Sequence, residues 1–272
     1  MPRIVLPETK VGHSFAITGP PGSGKTRLAC AALRADPDRW GTKGCYIAVD
    51  SGSFLMDSVL AEDRKLFWER RILLGGEEGK PYDPYEELMD IATKPEYADC
   101  DTFVLDTATV ASRQVLQSLA NSGKFSDKHV VISSHKHGKL NMAMEGDYGA
   151  AQQCMFNIFS AFGGSGKNFI AIFHDGLLEP KPGKDGPTIS GPATVGRGAI
   201  VPVAGWFHNL VRCEAKPVGA GATRSVEYWV HTEKKGVHLA KLRMRVPTNP
   251  ISEFKLNPDP INFWQKVKEI QS

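Results

Sequence analysis

The chain has 272 residues, 41% hydrophobic and 23% charged, a composition that excludes disordered, collagenous and coiled-coil classes and allows one large domain or two small ones. Thirty-three Lys and Arg against 30 Asp and Glu leave a formal charge of +3, too small an excess to mark a protein that coats nucleic acid. No window holds eighteen uninterrupted apolar residues and Met1-Pro2-Arg3 opens no apolar leader, so the expectation is a cytoplasmic protein with no membrane partner.

Apolar runs bounded by turn residues predict strands at 14–18, 45–49, 71–74, 102–105 and 168–173. Each is largely unalternating, as parallel strands buried on both faces are. Helical stretches fall between them at 25–34, 85–92, 109–120 and 150–162. That alternation predicts an α/β fold, a mainly parallel sheet flanked by helices. Residues 123–149 and 175–205 resist assignment and read as long loops, which in a compact domain are functional or mobile, although 125–145, with Val130-Val131-Ile132, also reads as an extra strand plus a basic loop. Beyond about residue 205 the segments alternate, and 207–213, 226–232 and 237–246 predict antiparallel strands extending the sheet, with Lys235-Gly236 as a hairpin turn. Ile261, Trp264, Val267 and Ile270 space out a short amphipathic helix at the end. The five cysteines are scattered, form no Cys-x-x-Cys pair and read as buried free thiols.

One segment carries chemistry on its own. Gly19-Pro20-Pro21-Gly22-Ser23-Gly24-Lys25-Thr26 satisfies G-x-x-x-x-G-K-[ST], follows an apolar strand and leads into a helix. Glycines let the backbone curl until successive N–H groups face phosphate oxygens, and the helix N-terminus adds its positive end. Lys25 then reaches the β- and γ-phosphates, and the Thr26 hydroxyl ligates Mg2+. Thr102-Phe103-Val104-Leu105-Asp106 ends a buried strand on a carboxylate, which makes Asp106 the second candidate metal ligand. The alternative for Asp106 is an N-cap for the helix after Thr107.

Two strand candidates between Lys25 and Asp106 imply that another strand is inserted between the two that carry these motifs. That arrangement resembles the RecA/AAA-like division of P-loop proteins, and no guanine-reading Asn-Lys-x-Asp occurs. Over about residues 12–248 the order of motifs resembles the RecA-like core, and more narrowly the small P-loop ATPases of tailed bacteriophages, which include single-strand annealing and recombination proteins. Asp50-Ser51-Gly52, Gly146-Asp147-Tyr148-Gly149 and Gly191-Pro192-Ala193 before Trp206-Phe207-His208 add to the likeness. The domains this implies are an N-terminal arm at 1–11, a RecA-like ATPase core at 12–248 and a C-terminal tail with a short helix at 249–272.

The resemblance implies further roles. A water-activating carboxylate belongs after the third strand, where Glu86 is the first choice and Glu87 the second; the alternative is acidic residues favoured by the helix dipole alone. A γ-phosphate sensor belongs at the tip of the strand after Asp106, the place of His174; the alternative is a satisfied structural histidine. Lys241 and Arg243 have the spacing of a pair that reaches the neighbouring subunit's γ-phosphate, and residues i and i+2 of a strand share a face. The alternative there is a charged edge strand. Lys181, Lys184 and Arg197 in one long loop, with Lys136 and Lys139 in the other, are the implied phosphate contacts to single-stranded DNA. Apart from the resemblance, His135 and His137 have a chelating spacing, but no Cys or spaced carboxylate near them completes a metal set. The expected protein is an ATP- and Mg2+-dependent ATPase that acts on single-stranded DNA as a ring or filament homo-oligomer. Its rivals are a hexameric helicase motor and a nucleotide-binding assembly or regulatory protein with little turnover.

Overall fold

The computed structural model describes residues 12–49, 59–72, 83–124, 131–135, 138–164, 166–180, 182–183, 185–220, 224–242 and 252–271. The expected arm at 1–11 lies outside them, as do Asp50-Ser51-Gly52 and Arg243.

Strand β1 (Ser14–Thr18) runs through the glycine-rich loop into helix α1 (Lys25–Ala35), followed by the short α2 (Pro37–Trp40) and strand β2 (Gly44–Ala48). Then come α3 (Ala61–Arg64), β3 (Phe67–Arg71), α4 (Pro84–Thr93), β4 (Thr102–Asp106) and α5 (Ala108–Ser122). A ribbon of β5 (Val131–His135) and β6 (Gly138–Asn141) precedes α6 (Glu145–Gly164) and β7 (Asn168–Ile172). A second ribbon, β8 (Asp175–Leu178) and β9 (Ile189–Pro192), leads to α7 (Ile200–Trp206). The chain closes with β10 (Asn209–Val218), β11 (Ser225–His231), β12 (Glu253–Lys255) and α8 (Ile261–Gln271).

The main sheet has the order β12-β11-β10-β1-β7-β4-β2-β3. From β10 to β3 all pairs are parallel, while β11 and β12 add antiparallel strands at one edge. The inserted strand expected between the two motif strands is β7, which pairs with β1 on one side and β4 on the other. Strands β1, β2, β4 and β7 are buried along their whole length, as a parallel sheet covered on both faces requires. Alternate side chains serve the two faces. Ala16, Phe103, Phe169 and Phe173 pack under α4, α5 and α6, whereas Phe15, Ile17, Tyr46 and Ile172 pack under α1 and α8. On that second face Trp264 of α8 meets Phe15 and Trp40 edge-on, with ring centroids 5.0 and 4.9 Å away, and its Nε1 donates to Leu28 O at 2.7 Å. Residues beyond 248 are thus built into the core.

Four expectations need correction. The third strand is Phe67–Arg71 rather than 71–74. It pairs on one side only, so Trp68, Arg70 and Arg71 stand in solvent, and the apolar run does not mark it. Strand β10, whose alternation predicts antiparallel pairing, lies parallel to β1, and only then does the chain turn back through β11. Among the described residues 237–242 form no strand. Lys241 and Leu210 exchange backbone hydrogen bonds at 2.8 Å as an isolated bridge, and Lys235 pairs with His238 around Gly236 at φ +58. Finally, 123–149 and 175–205 are not long loops, because each holds an antiparallel ribbon and helical residues. No helix among the described residues is long and apolar enough to cross a membrane.

Candidate nucleotide site

At the end of β1 the chain turns on glycines that no other residue replaces without strain. Gly19 has φ +144, and a Cβ there would stand 2.4 Å from Cys213 O. Gly24, the residue that starts α1, has φ +86. Lys25 is only 7% exposed, and its Nζ donates to Gly19 O at 2.9 Å and Pro20 O at 2.7 Å, which fastens the loop over the helix start. Burial pulls its pKa below the ordinary lysine value, partly offset by Cys213, Asp106 and Asp175. The Ser23 hydroxyl is buried inside the loop with no partner among the described residues.

Asp106 stands at the tip of β4 and is 1% exposed. Its Oδ2 accepts from Thr26 Oγ1 at 2.6 Å and from Tyr46 OH at 2.7 Å. Burial, and next the negative field of Asp106, push the Tyr46 phenol far up, so it stays a donor. Its capping alternative is filled by another residue: Thr107 Oγ1 accepts from Val110 N at 3.1 Å and caps α5. Asp106 therefore serves the loop.

His174 follows β7 and lines the same cavity. Its N–H donates to Thr109 Oγ1 at 3.0 Å, Thr109 Oγ1 donates to Ala193 O at 2.7 Å, and Ala193 N–H donates to His174 O at 2.9 Å. This closed set ties the histidine to both ends of the β8–β9 ribbon. Beside it Arg212 Nε and Asp175 Oδ2 pair at 3.1 Å.

The cavity measures about 410 Å³. Its polar end is residues 21–27 with Asp106, Thr107 and His174; its other wall is Tyr228, Leu256, Asn257 and Pro260. None of those four belongs to a motif, and no spacing in the sequence points to them, because they come from β11 and the β12–α8 connection.

Glu86 and Glu87 are not brought to the cavity. Glu86 is exposed in the first turn of α4, where Asp83 Oδ1 accepts from Tyr85 N at 3.0 Å, and Glu87 pairs with Arg70 at 3.2 Å. Among the described lining residues Asp106 is the only carboxylate. Lys241 does not line the cavity of its own chain, and its Nζ donates to Gly205 O at 3.4 Å. Lys136, His137, Lys181 and Lys184 lie outside the described residues, as do the side chains of His135, Lys139 and Arg197.

A hydroxyl and a carboxylate 2.6 Å apart are hard oxygen donors. Such a small protein set suits Mg2+, which keeps waters and takes phosphate oxygens as its remaining ligands. With the orphaned Ser23 hydroxyl in the curled loop, the residues fit a metal-bound triphosphate.

A buried strand, a glycine loop closed by a lysine, a helix start and a carboxylate on a second motif strand one strand away together define a P-loop ATPase. Residues 12–244 match the AAA domain family, and the chain belongs to it. A similar solved structure is the KaiC-like protein of the hyperthermophilic archaeon Pyrococcus horikoshii OT3, 11% identical, with 92% of this chain and 87% of that chain covered at a TM-score of 0.47. No curated protein matches the chain.

Proposed function

We propose that this protein binds and hydrolyses ATP with Mg2+ and acts on single-stranded DNA as a homo-oligomer, promoting annealing or strand exchange. One observation carries the nucleotide part: the 2.6 Å pair of Thr26 Oγ1 and Asp106 Oδ2 beside the buried Lys25. The loop amides at the start of α1 face the phosphates, and the Lys25 ammonium exchanges its two carbonyl bonds for β- and γ-phosphate oxygens. Thr26 and Asp106 hold Mg2+, which when bound neutralises charge on the phosphates. Tyr46 is a positioning residue that fixes the carboxylate. His174, at the cavity end of β7, donates to the terminal phosphate.

Support for the finer part comes from placement. Lys241 sits away from its own cavity, in keeping with action on a neighbour's nucleotide. In sequence, Lys136 falls between β5 and β6 and Lys139 within β6, while Lys181 and Lys184 fall between β8 and β9, the ribbon that begins beside His174. Phosphate release, with and without single-stranded DNA, tests the reading. The wild type releases phosphate faster with DNA, and Lys25→Ala releases none above background. Release equal in both proteins overturns it.

A second reading, a nucleotide-binding assembly or regulatory protein with little turnover, is favoured by the exposure of Glu86 and by Asp106 being the one carboxylate among the described lining residues. If Glu86→Gln and Glu87→Gln each leave a low background release unchanged, that reading gains.

A further inference from the structure

The wall opposite the phosphate loop has its own chemistry. Tyr228 of β11 lies against the loop: a Cβ on Gly24 would meet its Cδ1 at 3.4 Å, so the phenol ring borders the start of α1. The tyrosine backbone is clamped on both sides, since its N–H donates to Asn257 Oδ1 at 2.7 Å and its carbonyl accepts from Leu256 N at 2.8 Å. The clamp settles the orientation of the Asn257 amide. Its oxygen faces the tyrosine N–H, and Nδ2 makes no hydrogen bond among the described residues. Leu256 and Pro260, both buried, add aliphatic surface.

This wall is held at a fixed distance from the phosphate cradle. Arg27 Nη2 donates to Pro258 O at 2.8 Å, and Arg34 Nη2 pairs with Asp259 Oδ1 at 3.0 Å. Both arginines stand on α1, the helix that begins at Lys25. One rigid body therefore presents an anion site at one end of a cavity of about 410 Å³ and an aromatic ring, aliphatic carbons and an amide donor at the other. The complementary ligand is a triphosphate carrying a flat heteroaromatic group with a hydrogen-bond acceptor on its rim.

We infer that Tyr228 and Asn257, with Leu256 and Pro260, form the nucleobase subsite, the ring packing on the base and Asn257 Nδ2 donating to its edge. This rests on the proposal that the loop binds a nucleoside triphosphate, and it assigns the affinity and specificity for the base to the C-terminal segment.

The test compares two probes with Mg2+ by calorimetry: ATP, and inorganic tripolyphosphate, which has the anion and no base. Base stacking on an aromatic ring carries about 1–3 kcal/mol, or about 5- to 150-fold in affinity. Tyr228→Ala is expected to weaken ATP about tenfold or more and tripolyphosphate less than about twofold, with Tyr228→Phe close to wild type for both. Unchanged ATP affinity in Tyr228→Ala overturns the inference. If both probes weaken in parallel, in Tyr228→Ala and also in Tyr228→Leu, the ring is only structural and the inference is again overturned. Wild-type protein that binds tripolyphosphate as tightly as ATP overturns the base subsite alone. Wild-type protein that binds neither overturns the phosphate reading and the base subsite with it.

Discussion

Thr26 and Asp106 stand 80 positions apart in the chain, and the hydroxyl of the first donates to the carboxylate of the second at 2.6 Å. The sheet makes this pair. Strand β1 delivers the phosphate loop and β4 delivers Asp106 to the same end, with β7 between them. The hydroxyl and carboxylate meet over a strand that belongs to neither.

Tyr46 donates to the same Asp106 oxygen at 2.7 Å from β2. Tyr46→Phe removes that donor and leaves Thr26 in place. The expected outcome is a several-fold rise in the Mg2+ concentration needed for half-maximal ATP binding, with about 1 kcal/mol lost from stability. An unchanged Mg2+ requirement counts against a positioning role for the phenol.

Trp264 is 1% exposed and seals the far face between Phe15, Trp40 and α1. Trp264→Ala is expected to cost about 3–5 kcal/mol, read as a lower urea midpoint with little change in slope. A midpoint near that of the wild type contradicts the place given to α8 in the core.

Lys25 has a pKa below its ordinary value of 10.5, chiefly because it is buried. Only the ammonium binds phosphate, so ATP affinity is full below the lowered pKa and is lost as pH rises through it, where an exposed lysine would still be charged. In ligand-free protein the sign is opposite. Between the folded pKa and 10.5 the unfolded chain binds more protons, so this group makes stability rise with pH. Lys25→Arg, always charged, removes the pH dependence of binding whatever it does to the affinity. ATP titrations of both proteins across this range check it, and a wild-type affinity that stays flat up to 10.5 speaks against it.

Lys241 acts on a neighbour's nucleotide if catalysis runs between subunits. Lys25→Ala and Lys241→Ala proteins, each inactive alone, should then partly restore phosphate release when mixed. No recovery in mixed assemblies contradicts action in trans.

What the sequence reveals tracks how local each contact is. Strands β1, β4 and β7 bury both faces and therefore carry unbroken apolar runs, Phe15-Ala16-Ile17, Phe103-Val104-Leu105 and Phe169-Ile170-Ala171-Ile172, and the phosphate loop is eight contiguous residues. Strand β3 is an edge, so Trp68, Arg70 and Arg71 stand in solvent, while in sequence the apolar Ile72-Leu73-Leu74 follows it. The ribbon β8–β9 hides because Asp175-Gly176-Leu177-Leu178 and Ile189-Ser190-Gly191-Pro192 are short and rich in turn residues. Asp106 is legible from the apolar run before it, but Tyr228 and Asn257 reach the cavity only through antiparallel pairing at the sheet edge. Glu86 followed from the resemblance, and its place in the first turn of α4 is the one that the helix dipole alone favours.

The central claim is that Thr26 and Asp106 hold Mg2+ against a triphosphate gripped by Lys25. Calorimetric titration of ATP into wild-type and Asp106→Asn protein, each with and without Mg2+, tests it most directly. The expected result is wild-type binding that strengthens about tenfold or more with Mg2+ and variant binding that does not. No binding by the wild type, or equal binding with and without the metal, would contradict it.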